Sequence, residues 1–180
     1  FFPTDSGPGK VRTAITTYEA KRFDRHFGGD PLALARAVGQ NLAAGRIESG
    51  ASTLTMQTIR LSRGGKPRTF GEKFVEAVLA LRLEMRCSKE EILALYAAHA
   101  PFGGNVVGLE SASWYYFGRS ARDLSWAESA LLAVLPNAPS LIHMKRNRDR
   151  LREKRDRLLD SIRRGGHIDS LPCALAKLGP

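Results

Sequence analysis

An all-α fold is predicted for this 180-residue chain by three observations. Apolar residues fall at helical spacing nearly throughout. No stretch alternates apolar and polar residues as a half-buried strand would. Helix-opening signatures recur, with Asp30-Pro31, Ser88-Lys89-Glu90-Glu91 and Ser125-Trp126-Ala127-Glu128 standing before apolar runs. The length suits one domain with a substantial core, and no repeat or internal linker interrupts it.

The elements follow in order. A first helix through Ala14-Ile15-Thr16-Thr17 enters the core with Glu19 at its end. Asp30 caps a second, and Pro31 fits its first turn because the N–H it lacks would be unpaired there. Leu32, Ala35, Val38 and Leu42 share a face until Gly45 ends that helix. A third helix starts after Gly50-Ala51, with Ser52 as cap and Leu54, Ile59 and Leu61 available for packing. A long helix spans 69–86, with Phe70, Phe74, Ala77, Val78, Leu81 and Met85 as its buried stripe. The capping box Ser88–Glu91, Ser at the cap and Glu three later, opens a helix carrying Ile92, Leu95 and Tyr96. Pro101-Phe102-Gly103-Gly104 breaks it, and a tight turn leads to a helix over Ser111–Gly118 whose aromatic residues pack in the core. The second capping box leads an apolar helix that stops near Pro136, and Pro136 and Pro139 mark a bend. A basic helix then runs from about Arg146 to Arg164, with Leu151, Leu158, Leu159 and Ile162 as a modest apolar side. From Gly165 the patterning is weak.

The formal net charge is +10, which attracts polyanions such as nucleic acid, anionic lipid headgroups or pyrophosphate. Between Lys145 and Arg164 ten basic residues stand against four acidic ones, a net +6 in one short stretch. That helix fits either docking on the domain or lying against an anionic membrane. Cys87 and Cys173 have neither metal spacing nor a disulfide framework and read as reduced spectators, Cys87 near a helix end. His26, His99, His143 and His167 show no ligand spacing, so no metal site is expected. No signal peptide and no apolar run of about 18 residues is present. The start at Phe1 suggests a fragment whose upstream segment is missing.

Two glutamates are the strongest candidates for chemistry. Glu19 lies in Tyr18-Glu19-Ala20-Lys21-Arg22-Phe23 and Glu76 on the long helix, with Ser49–Gln57 between them. Paired carboxylates from separate helices suit sugar transfer, one taking a proton from a hydroxyl and the other managing the leaving group. Alone, each is also what a solvated helix-face charge looks like. Glu19 at a helix end facing a cleft can have its pKa raised by partial burial and act near neutral pH. Gly50–Gln57 reads equally as a capped helix start or as a site where unpaired N–H groups and hydroxyls meet phosphate or sugar oxygens. Lys73 and Glu76 share a face. They form either an exposed ion pair, worth about 0.3–0.5 kcal/mol, or a place where Lys73 meets a leaving phosphate.

In this order the motifs resemble glycosyltransferase family 51, the glycosyltransferase domain of class A penicillin-binding proteins and monofunctional peptidoglycan glycosyltransferases. The resemblance runs from about Ile15 to Leu159. Its first motif is Glu19-Ala20-Lys21-Arg22-Phe23-Asp24-Arg25-His26-Phe27-Gly28, its second Gly50 through Gln57, its third Glu72-Lys73-Phe74-Val75-Glu76. The fourth is Ser88 through Tyr96 with Phe102-Gly103 and Gly108, and the fifth Ala130 through Ser140. The resemblance implies a lysozyme-like all-α domain with a smaller flexible membrane-proximal jaw, over residues 1–164, and a C-terminal tail or linker start over 165–180. It implies polymerisation of lipid II into β-1,4-linked glycan with release of undecaprenyl pyrophosphate and inversion at the sugar. Glu19 would be the general base and Glu76 would assist the leaving group. Ser52, Thr53, Gln57, Lys73 and Arg86 would contact the sugar diphosphate. A divalent cation such as Mg2+ would be admitted, with no organic cofactor. The partners implied are lipid II, the growing glycan strand, moenomycin-type inhibitors and the bacterial cytoplasmic membrane, reached through a missing N-terminal anchor and the basic surface, with no nucleic acid. The location implied is the periplasmic or extracytoplasmic face of that membrane.

Four departures stand out. Ala20 replaces an Asp, Ala51 replaces a Gly, Glu72 replaces an Arg, deleting one cation near the donor phosphates, and Ala97-Ala98 stands where many members have Leu-Asn after the Tyr. Alternative readings are a peptidoglycan hydrolase, a nucleic-acid module using the basic helix, and an inactive scaffold that still binds lipid-linked glycan.

Overall fold

The computed structural model describes residues 9–19, 53–64, 69–137 and 144–179. The described residues are all-α, as a lysozyme-like domain requires. The helices are α1 (Gly9–Glu19), α2 (Leu54–Ser62), α3 (Phe70–Glu84), α4 (Lys89–His99), α5 (Leu109–Phe117), α6 (Trp126–Val134), α7 (Met144–Arg164) and α8 (Ser170–Leu178). One short antiparallel ribbon, β1 (Pro101–Gly103) with β2 (Val106–Val107), follows α4. No strand was expected there, because two and three residues are too short for alternation to show. The helix expected after Asp30-Pro31 lies outside the described residues.

The chain divides into two compact units, one of Phe1–Lys21 with Ala97–Pro180 and one of Arg22–Tyr96. In the first, α1 packs on α6 and α7. The capping box at Ser125 is formed from both sides: Ser125 N–H donates to Glu128 Oε2 at 2.7 Å and Glu128 N–H to Ser125 Oγ at 3.3 Å. The helix it opens buries Ala127, Ser129, Ala130, Leu132, Ala133 and Val134. Its small residues let neighbours approach closely, and α1 brings Val11, Ala14 and Ile15 to the core. Leu151, Leu158, Leu159 and Ile162 of α7 are buried, so the apolar side of the basic helix is docked on the domain. Each such side chain stabilises the fold by roughly 1.5–3 kcal/mol.

Residues 170–178, where the sequence is weakly patterned, form α8 against α7. Arg155 of α7, 1% exposed, holds its end: Nη1 donates to Gly179 O at 2.9 Å and Nη2 to Lys177 O at 3.0 Å. These carbonyls are the acceptors a helix leaves unsatisfied at its C-terminus. Lys177 Nζ adds a 2.6 Å bond to Asp160, which holds that carboxyl below its usual pKa. Cys173 is buried and both cysteines are free.

Gly108 ends the ribbon and begins α5. Its φ of +90° is open chiefly to glycine, and a Cβ there would lie 2.9 Å from Ala98 O. Gly108→Ala is therefore expected to cost about 1–3 kcal/mol, read as a lower urea midpoint with an unchanged slope. The expected aromatic packing of α5 is corrected. The helix buries Leu109, Ala112 and Ser113, while Trp114 and Tyr115 are exposed. Small residues seat α5 against its neighbours, and of its rings only Tyr116 and Phe117 are half-buried, Tyr116 Oη–H donating to Phe102 O at 2.9 Å.

In the second unit α2 packs on α3 through Met56, Ile59, Ala77 and Ala80. The expected buried stripe of α3 is corrected too: Phe74, Val78 and Met85 are 54%, 42% and 65% exposed. Helical spacing marks a face but not its neighbour. Ala77 and Ala80 form a flat face on which α2 can lie closely, and that face is rotated away from Phe74, Val78 and Met85. In α4, Ile92, Leu93 and Tyr96 are buried, and Leu95, expected beside them, lies outward. The Ser88 box forms as expected, Ser88 N–H donating to Glu91 Oε2 at 2.7 Å, which lowers the Glu91 pKa.

Candidate active site

The chemistry-bearing motifs of the second unit meet where α2 and α3 pack. Thr53, in extended backbone, caps α2 by accepting the Met56 N–H at 3.2 Å. The cap is thus Thr53 and not Ser52, because the helix begins at Leu54 and a hydroxyl one residue earlier is out of register. Ser52 itself lies outside the described residues. Leu54, Thr55, Met56 and Thr58 are buried and fix the helix, which leaves Thr53, Gln57 and Arg60 on a half-buried stripe at i, i+4, i+7.

A buried-side tie sets α2 against α3. Thr55 Oγ1 donates to Glu84 Oε1 at 2.6 Å, and Lys89 Nζ, at the start of α4, lies 3.1 Å from the same oxygen. One carboxylate near the end of α3 therefore orders the hydroxyl-rich start of α2 and the start of α4. The sequence gives Glu84 no motif, so its role was not read there.

On α3, Thr69 caps the first turn by accepting the Glu72 N–H at 3.1 Å. Lys73 and Glu76 lie one turn apart on one face, half-buried, yet they form no ion pair with each other or with any other described residue. The ordinary intrahelical pair between them is not made. Arg63, just past α2, donates its Nε–H to Glu72 Oε1 at 2.6 Å. That hydrogen bond raises the Arg63 pKa, and the charges of Glu72 and Glu76 add to the effect. Arg60 and Arg63 were not singled out in the sequence; both continue α2 beyond Gln57, which is the signal that could have found them.

Arg86 lies past the end of α3, exposed, ten residues beyond Glu76. At the helical rise that is roughly 15 Å of backbone, so a donor touching both would stretch along α3. Glu19 is the last residue of α1. Its side chain, like Ala20 and His26, lies outside the described residues. No three His, Cys, Asp or Glu side chains cluster as metal ligands among the described residues. Glu72, one turn before Glu76 on α3, is held by Arg63.

A family model described as Transglycosylase matches residues 1–163. The chain belongs to the transglycosylase family. Penicillin-binding protein 1C of Escherichia coli strain K12 is 46% identical over 149 residues, 83% of this chain and 19% of its own length. Penicillin-binding protein 1A of Neisseria lactamica is 39% identical over 155 residues, 86% of this chain and 19% of its own. Penicillin-binding protein 1A of Neisseria flavescens is 38% identical over 168 residues, 93% of this chain and 21% of its own. The chain spans about a fifth of the length of these relatives. Glycosyl transfer, the class expected from the sequence, is the class of this transglycosylase family.

Proposed function

We propose that this transglycosylase domain is a peptidoglycan glycosyltransferase that polymerises lipid II into β-1,4-linked glycan strands and releases undecaprenyl pyrophosphate. Family membership over residues 1–163 carries the reading. Lys73 and Glu76, on one face of α3 and without an ion pair to each other or to another described residue, support it.

Glu19 takes the proton of the acceptor 4-hydroxyl as that oxygen attacks the anomeric carbon of the donor. The bond from that carbon to the diphosphate breaks with inversion, and the leaving diphosphate gains negative charge. Preorganised cations stabilise such charge most where water is partly excluded, which is the role of half-buried Lys73, while exposed Arg86, past the end of α3, adds a second cation. Glu76 positions the leaving group beside Lys73. Ser52, Thr53 and Gln57 hold the sugar diphosphate at the start of α2. Inversion calls for the two carboxylates to stand farther apart than about 5.5 Å, so that the acceptor fits between them.

The substrate is lipid-linked, so the domain works at a membrane surface, on the extracytoplasmic face of the bacterial inner membrane. No described helix is long and apolar enough to cross one. The outward Phe74, Val75, Val78 and Met85 of α3 suit contact with lipid, and the exposed arginines of α7 suit anionic headgroups. A moenomycin-type phosphoglycolipid would compete for the donor site. A divalent cation such as Mg2+ is tested by adding a chelator to the assay, and binding to nucleic acid by a salt-dependent shift assay.

Incubating the membrane-anchored protein with lipid II, and separately with finished peptidoglycan, tests the reading. New polymer supports it; soluble muropeptides alone would assign hydrolysis instead. Glu76→Gln is expected to lower turnover at least ~10²-fold with the circular dichroism spectrum unchanged, and an unaffected rate would return Glu76 to a surface charge.

A further inference from the structure

Arg63 lies outside every motif, yet it is held as firmly as a site residue. Its backbone N–H closes α2 by donating to Ile59 O at 3.1 Å and Arg60 O at 3.2 Å. Among the described residues its side chain bonds Glu72, Nε–H to Oε1 at 2.6 Å, and it is 26% exposed. Glu72 is itself fixed in the capped first turn of α3.

The choice of nitrogen is informative. A guanidinium that only ties two helices does best through two parallel bonds to one carboxylate. Here Nε alone is used, and the two terminal amino groups have no partner among the described residues. They form a planar fork suited to the paired oxygens of a phosphate. Glu72 stands one residue before Lys73 and one turn before Glu76, so its bond holds the guanidinium beside that turn of α3. Glu72, which from the sequence deletes a cation, instead recruits one from the end of α2.

We propose that Arg63 binds the diphosphate of the sugar donor through its two terminal amino groups while Glu72 orients the guanidinium through Nε, an assignment that rests on the glycosyl-transfer reading above. Arg63 thus adds a third cation to Lys73 and Arg86, supplied by α2 and not by α3.

Inorganic pyrophosphate titrated into 15N-labelled protein tests this directly. The Arg63 Nε–H resonance should shift with a saturable dependence on pyrophosphate. Arg63→Met should weaken pyrophosphate binding roughly 10- to 100-fold, the range for loss of a charged hydrogen bond, with Arg63→Lys recovering part of the loss. Glu72→Gln should weaken it several-fold, by loosening the guanidinium. Equal affinity in wild type and Arg63→Met, or an Arg63 resonance that stays still at saturation, overturns the proposal. If Arg63→Met fails to fold, the wild-type resonance alone decides. Pyrophosphate binding that depends on Arg63 in a protein unable to polymerise lipid II would sink the glycosyl-transfer reading and keep the anion site. Polymerisation with an unchanged KM in Arg63→Met would do the reverse.

Discussion

Glu19→Gln is expected to abolish lipid II polymerisation while leaving the fold intact. Glutamine keeps the shape and the hydrogen-bonding reach of the side chain but cannot accept a proton. A positioned general base contributes about 10²–10⁴-fold, and the uncharged hydroxyl of a sugar acceptor is a poor nucleophile without one. The fold should survive because α1 is held by Val11, Ala14 and Ile15, all upstream of its final residue. Thr16, also buried, is satisfied locally by donating to Arg12 O at 2.9 Å. The measurement pairs a polymerisation assay on lipid II with a thermal melt of the variant. Near wild-type turnover would end the general-base assignment. Loss of activity with a matching loss of Tm would make position 19 structural instead.

Arg155→Ala is expected to produce the largest loss of stability. The substitution removes the donors to Gly179 O and Lys177 O, and leaves a void where a fully buried side chain stood. Hydrogen bonds from a charged group contribute about 1.5–3 kcal/mol each, partly regained as the freed end of α8 meets water. The net expectation is about 2–4 kcal/mol, or on the order of 5–15 °C in Tm for a domain of this size. Arg155→Lys should recover only part, since one ammonium cannot span two carbonyls in the fixed geometry of a guanidinium. Faster hydrogen exchange confined to residues 170–178 would show that the loss begins in α8. A Tm unchanged in Arg155→Ala would show that α8 is held by its apolar contacts alone.

How legible the chain was in advance depended on how local each feature is. Capping boxes at Ser88 and Ser125 each lie within four consecutive residues and formed as read. The apolar side of α7 was read correctly because it lies on a helix otherwise crowded with charge, so only one orientation can be buried. The stripe of α3 was misread because that helix is apolar on more than one side, and sequence cannot say which side meets α2. The same ambiguity misplaced Trp114, Tyr115 and Leu95. In the candidate site, Lys73 and Glu76 were legible as neighbours on one turn. Arg63 was not, since its partner Glu72 lies nine positions on, in the next helix.

From the sequence alone came the all-α class, the helix starts and the motif order that placed this chain among glycosyl-transferring domains, because these depend on residue types at short fixed spacings. Tertiary structure alone decided that Lys73 and Glu76 make no ion pair with each other, that Glu72 draws in Arg63, that Glu84 joins Thr55 to Lys89, and that Arg155 closes α8. Each of those depends on side chains brought together from different helices or turned apart on one, and backbone periodicity does not carry that information.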